Sequence, residues 1–425
     1  MQRISYHTFP WNSTGICKLL AFVSGQLLHS GNKWGIMRKK VIIKNPPLKR
    51  RLHHMNAREQ TKAILHYQNT DHIPVVHFGY WAELLDKWLA EGHITEEERK
   101  GYWDGSPADN AISGRLGFDF CWTCQFGGAN DLFPGFAYER LEDFPDGSYT
   151  YRNGSGLIER AYPGVDSIPM TIGTTLTGRE AWETLYKEKL TWKPERVNMN
   201  ALQNLIERQD ALEIPLGLHV GSYYGRVRDM LGVEELAYLY ADDEELYAEI
   251  IGALGEISYK NCEMILEAGL RPDFAHFWED ICFKNGPLVS PDVFREYVAP
   301  HYKRITDLLL SYGCDIVSLD CDGCIDKLVP VWLENGVNTM FPIEVGTWNA
   351  SIAPWRQQYG TALRGVGGMD KRVFAYDYAA VDREIERLKP LIELGGYIPC
   401  PDHRLPPEAK WENVQYYCER FRETF

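Results

Sequence analysis

GGYIPCPDHRLPP, residues 395–407, begins as a strand, with two glycines and then Tyr397 and Ile398, and stops against Pro399. Cys400, Asp402 and His403 follow within four residues, held among prolines 399, 401, 406 and 407. Such a segment is either a polar turn or the rim of a site, and the rest of the chain decides between them. Seven other segments share its form, being short, β-rich and bounded by Gly, Pro, Asp or Asn. They are IPVVHFG (73–79), FDFCWTC (118–124), IPLGLHVG (214–221), PDFAHFW (272–278), CDIVSLD (314–320), NTMFPIEV (338–345) and ALRGVGG (362–368). Between them, residues 233–269, 290–313 and 378–395 carry apolar side chains at helical spacing. Ser290 with Asp292, and Asp382 with Glu384 and Glu386, offer helix-start chemistry. Eight strands alternating with helices predict an α/β fold, a (β/α)8 TIM barrel. The largest insertion, a β-hairpin and helix segment between strands 2 and 3, is expected to turn at Asn153-Gly154 and cover one end of the barrel. Neither Gly-x-Gly-x-x-Gly nor a P-loop follows the first strand, which weighs against a doubly wound nucleotide-binding fold.

The 425 residues carry a net charge of −14, wrong for a protein held to nucleic acid by Lys and Arg. No apolar run approaches the ~20 residues that cross a bilayer. Residues 1–54 contain ten Lys/Arg and no Asp or Glu, leaving 35 basic and 59 acidic side chains in the remainder. This leader is read as a start-site artefact upstream of Met55, where a well-formed helix begins (NAREQTKAILHYQ, 56–68), or else as a basic or targeting tail. The domain proper is 55–425. Ten irregularly spaced cysteines make no disulfide framework, so the cytoplasm is the expected compartment.

A barrel gathers its site at the C-terminal ends of its strands. Those ends carry Trp278-Glu279-Asp280, then Asp320-Cys321-Asp322, Glu344, Asp370-Lys371 and Cys400-Pro401-Asp402-His403. One polar strand end means little, since turns use Asp and Gly for geometry. Five in succession point to one mouth, where buried carboxyls have shifted pKa values and act as acids, bases or ligands. Cys321, Cys400 and His403, with Asp320 or Asp322, make a soft donor set of the kind zinc takes, or the cysteines are small packing residues. Tyr80, Trp81, Tyr223 and Tyr224 are candidates to hold a substrate, with His219, Trp278 and Glu344; His77 reads as core.

MNAREQTKAILHYQNTDHIPVVHFGYW (55–81), FWEDICFKNGPLVSPDVFREYVAPHYKRI (277–305) and GGYIPCPDHRLPPEAKWENVQYY (395–417) resemble motifs of the uroporphyrinogen decarboxylase superfamily. The resemblance spans 56–424 and implies the same barrel. Its decarboxylases carry Arg-x-x-Gly-Arg after the first strand to grip substrate carboxylates. Here FGYWAELLDKWLAEG (78–92) has no arginine, which points away from uroporphyrinogen. The other branch exchanges methyl groups with corrinoid proteins. Its zinc members carry His-x-Cys-Gly on the fifth-strand loop and Cys-Gly-x-Pro-Pro on the last. Here LDCDG (319–323) puts Cys321 in the Cys place and Leu319 in the His place, while DHRLPP (402–407) puts His403 where the final ligand falls.

The resemblance therefore implies a corrinoid-dependent methyltransferase acting on a small methylated compound such as a methoxyaromatic. The corrinoid cofactor (cobalamin) would ride on a partner protein. Zinc at Cys321 and His403 would assist as a Lewis acid, or His403 would be the general acid oriented by Asp402, with Glu279 and Asp280 as further acids. A decarboxylase of uroporphyrinogen or a smaller acid is the alternative, with Arg226, Arg228, Lys371 and Arg404 as its available cations. A non-catalytic corrinoid- or tetrapyrrole-binding protein is the third reading, against which the convergent acids argue.

Overall fold

The computed structural model describes residues 55–162 and 169–425. The expectation for the leader, 1–54, lies outside them. Caps place the helices. Asn56 and Glu59 form a reciprocal capping box on the helix Ala57–Leu65. The helix Pro107–Leu116 starts on Ser106 and ends at Gly117 in the left-handed region. The run expected over 233–269 divides at Asp243, whose side chain accepts from Leu246 N and starts the helix Glu244–Glu267. The helix Tyr378–Ile392 is capped by Asp377, so the start expected at Asp382 falls inside it.

All eight expected strand segments contain strands. They are β1 (Val76–His77), β2 (Phe120–Cys121) continuing as β3 (Gln125–Gly127), β8 (Gly217–His219), β9 (Phe274–Trp278), β12 (Val317–Asp320), β13 (Thr339–Phe341), β14 (Arg364–Met369) and β15 (Tyr397–Pro401). Seven form one sheet in the order β15-β14-β13-β12-β9-β8-β3, parallel throughout, and β1 pairs with β2, also parallel. Side-chain alternation sorts the two faces. Val76, Phe78, Phe120, Trp122, Phe274, Phe341, Val366, Ile398 and Cys400 share one buried cluster. Ile64 and Leu65 of the helix Ala57–Leu65 join that cluster, while other helices cover the opposite face, as buried parallel sheets require.

Between β3 and β8 the expected hairpin is present and belongs to a larger unit. β4 (Glu139–Asp143), β5 (Tyr149–Arg152), β6 (Leu157–Ala161) and β7 (Met170–Thr174) form a four-stranded antiparallel sheet. The β5–β6 turn is built by Asn153, whose Oδ1 accepts from Ser155 N and Leu157 N. Gly156 completes it at φ +90°, where a Cβ would lie 2.0 Å from the Tyr186 hydroxyl. Thr174 ties β7 to the helix Tyr224–Leu231 by donating to Met230 O at 2.6 Å. A small hairpin, β10 (Cys282–Phe283) with β11 (Gly286–Pro287), follows β9.

Candidate functional site

Acids from three neighbouring strands meet just beyond their C-terminal ends. Asp280 follows β9, Asp320 and Asp322 flank the end of β12, and Glu344 follows β13. Asp322 N donates to Asp280 Oδ1 at 3.2 Å, and Gly323 N donates to Glu344 Oε2 at 2.6 Å. Thr347 donates to the other oxygen of Glu344 at 2.7 Å. Burial raises each carboxyl, and the neighbouring acids raise it further. Asp280 is pushed up to about 7, against opposing pulls from Arg228 and His403. Burial and then Asp322 raise Glu344 to about 7. Burial also raises Asp322 to about 6, with Lys371 opposing. Asp320 rises well above the usual range, from burial and then from Asp322 and Asp280. Neutral and ionised carboxyls therefore coexist here near pH 7.

His403 joins this group. Its Nε2 lies 3.2 Å from Asp322 Oδ2, and its ring stacks on Trp81 with centroids 5.3 Å apart. Burial, with Lys371 and Arg404 nearby, pushes its pKa down to about 3. Burial thus favours the neutral imidazole, which works against the general-acid role expected of it. The expected Asp402–His403 pair is also corrected. Asp402 accepts from Gly346 N at 2.8 Å and from Lys371 N at 3.2 Å, with Lys371 Nζ at 3.4 Å. It positions the loops after β13 and β14, and Asp322 is the partner of His403.

Glu279 is fully buried and turned away from the group. It accepts from Tyr223 N at 2.9 Å, Gly225 N at 2.6 Å and the Tyr302 hydroxyl, so it holds the turn after β8 rather than acting as a catalytic acid. Gly225 is required there, since a Cβ would lie 2.0 Å from Glu279 O. Tyr223 packs on Tyr302, Phe277 and His301. Tyr224 is buried, its hydroxyl raised to about 12 by burial and lowered somewhat by Arg228. Tyr80 bonds Ser113 at 2.8 Å and stacks on His77. Of the four expected aromatics, Trp81 is the one set against His403. Trp278 is covered by the guanidinium groups of Arg226 and Arg228, 5.2 and 5.4 Å from its ring centroid. His219, half-buried in register with His276, is held neutral by burial and Arg226 with a pKa of about 4.

The expected zinc donors do not assemble. Cys400 lies in the apolar cluster among Phe78, Val366 and Ile398, with its thiol raised by burial. Cys321 Sγ accepts from Ile281 N at 3.3 Å and sits 3.4 Å from Asp322 O, again with burial raising its pKa. Among the described residues, the group whose donor atoms come within 4.8 Å of one another is His77, Asp109 and Cys121. This trio could hold a metal ion, and sequence reading missed it by treating His77 as core and Cys121 as half of a weak Cys-x-x-Cys pair. It lies on the opposite face from the apolar cluster, against the helix Pro107–Leu116. His77 Nδ1 accepts from Gly79 N at 3.1 Å, which leaves the proton of the neutral ring on Nε2, toward Ser113 Oγ at 3.0 Å. Ser113 in turn donates to Asp109 at 3.0 Å. His77 and Asp109 are thus already linked through Ser113, Cys121 Sγ lies 3.1 Å from the Thr123 hydroxyl, and a metal would have to displace the Nε2 proton.

Two further pairings are not legible in the sequence. Asp104 binds Arg404 through two bonds of 2.8 and 2.5 Å. Lys371 was counted only as a candidate cation, and its pairing with Asp402 has no local signal. A cavity of about 570 Å³ on the β10–β11 hairpin, lined by Phe283, Asn285 and Lys327, contains none of the acids.

The chain's fold resembles that of a methyltransferase from Methanosarcina mazei, with a TM-score of 0.54 at 15% identity over 87% of this chain and 99% of that one. At this identity the likeness shows the fold. A B12-independent methionine synthase from Shewanella sp. W3-18-1 is more remote, with a TM-score of 0.37 at 12% identity over 52% of this chain and 67% of that one. No protein-family model matches the chain, and no curated protein does.

Proposed function

We propose that this protein is a methyltransferase of the uroporphyrinogen decarboxylase superfamily, transferring a methyl group from a small methylated compound to a corrinoid carried by a partner protein. The sheet is read as a closed (β/α)8 barrel. In support, Leu405 N donates to Gly79 O at 3.0 Å and Trp81 N to Leu405 O at 3.2 Å, linking the chain after β1 to the chain after β15. The apolar cluster also draws from both the first and the last strands.

The observation that carries the functional reading is the strand-end group itself, which is rich in acids and whose nearby cations already have carboxylate partners. Lys371 pairs with Asp402, Arg404 with Asp104, and Arg228 with Asp229 and Asp280. A decarboxylase that grips carboxylates needs cations placed for the substrate. Acids suit a leaving atom that gains electron density as a methyl group departs. The protonated members of Asp280, Asp322 and Glu344 stabilise that atom by a hydrogen bond or a proton, and His403, stacked on Trp81, holds Asp322. The reduced corrinoid, as second substrate, supplies the nucleophile. Zinc has no part in this proposal, because Cys321 and Cys400 do not converge with His403.

A cobalamin-linked assay, read in the visible spectrum across methoxyaromatics, methylamines and methyl thioethers, tests the reading. We expect turnover with one class, unaffected by a chelator and reduced at least 100-fold by His403→Ala. Carbon dioxide release from uroporphyrinogen, without methyl transfer from any class, would overturn it.

A further inference from the structure

We infer that the strand-end acids receive the cationic head of the methyl donor, an N-methylated onium compound such as a quaternary ammonium. This rests on the methyl-transfer reading and names its substrate class. Asp280, Asp320, Asp322 and Glu344 face one another, and the cations beside them (Lys371, Arg404 and Arg228) are each engaged by a carboxylate. The decisive side chain is Asp320. It is 3% exposed, and its Oδ2 meets no hydrogen-bond donor. It ends β12 on the same face as Ser318, whose hydroxyl bonds His276 at 2.6 Å on the inner side of the sheet, so it points into the acid group. Burial and the neighbouring acids hold this carboxyl toward its neutral form, and a ligand that brings positive charge stabilises the ionised form.

Geometry selects the kind of cation. These acids and His403 do not bring three donor atoms within 4.8 Å, whereas His77, Asp109 and Cys121 do. The spread of these donors suits a broad, diffuse onium head better than a compact metal ion. The chemistry balances. The C–N bond breaks with its electron pair left on nitrogen, which departs as a neutral tertiary amine. The methyl passes, as a cation equivalent, to the reduced corrinoid named above, a two-electron nucleophile. No proton is needed, and the product no longer carries the charge that held it.

Titration calorimetry on the full chain, without corrinoid, tests this with tetramethylammonium, choline, the uncharged choline isostere 3,3-dimethyl-1-butanol, and 3-methoxybenzoate. We expect the two cations to bind, choline at least tenfold tighter than its isostere, and Asp320→Asn to weaken choline at least tenfold. Circular dichroism establishes that the variant is folded, and Asp322→Asn serves as the second variant if it is not. Equal or tighter binding of the isostere or of methoxybenzoate overturns the inference, as does unchanged choline affinity in a folded variant. Because no corrinoid is present, the two readings fail separately. Onium binding, with no methyl transfer from choline or from any other donor class in the cobalamin assay, removes the methyltransferase reading and leaves the cation site standing. Methyl transfer from methoxyaromatics with no onium binding removes this one alone.

Discussion

Asp280→Asn should stabilise the protein above neutral pH and leave it nearly unchanged in acid. Asp280 lies in the left-handed region at φ +55°, where Asn is as well tolerated as Asp, and an amide oxygen can keep the bond from Asp322 N. Its carboxyl moves from an ordinary 3.8 to about 7 on folding, through burial first and then through Asp322. The sign follows from proton counting. Below about pH 4 both folded and unfolded chains hold the proton, and the contribution is intact. As pH rises toward 7 the unfolded chain releases the proton while the folded one keeps it, so stability is lost across that window and stays lost above it. The penalty at pH 8 has a ceiling of ~4 kcal/mol. Asn stands in for the neutral acid but turns its amide toward Arg228, which lies 3.8 Å from Asp280 Oδ2, so about half of that ceiling should be recovered. Urea unfolding at pH 4.5, 6 and 8 measures it. A gain of ~2 kcal/mol at pH 8 that falls to ~0.5 kcal/mol at pH 4.5 is expected. An equal gain at both pH values, or a loss at pH 8, would refute the idea that ionised Asp280 destabilises the fold.

Cys321→Ser should leave methyl transfer and bound zinc unchanged by elemental analysis; loss of stoichiometric zinc together with activity would restore the metal reading of that residue. Gly225→Ala forces a Cβ to 2.0 Å from Glu279 O and should cost more than ~3 kcal/mol in chemical denaturation, with a drop in soluble yield. Lys371→Met leaves the fully buried Asp402 without its cation and should cost ~3 kcal/mol, a loss that Lys371→Arg largely avoids. Glu279→Ala strips the acceptor from Tyr223 N, Gly225 N and the Tyr302 hydroxyl, and its defect should appear as a lowered Tm alongside any fall in kcat.

The elements were legible in the sequence because they depend on neighbours along the chain. Asn56 with Glu59, Ser106 before Pro107, and β-rich runs stopped by Gly or Pro dictate caps and strand ends locally. The same patterns placed GGYIPCPDHRLPP at the end of the last strand, with His403 at the site. Which way each polar side chain turns there was not legible. Cys400 and Asp402 share one strand end, yet Cys400 joins an apolar cluster while Asp402 binds the loops after β13 and β14. His403 finds Asp322, and Arg404 finds Asp104, across long stretches of chain. Such pairings follow from sheet register and helix packing, which bring distant segments within hydrogen-bond range. The sequence alone determined an acid-rich set of parallel strand ends. Tertiary structure decided which acids remain unpaired, because a buried charge takes whichever partner the packing delivers to it.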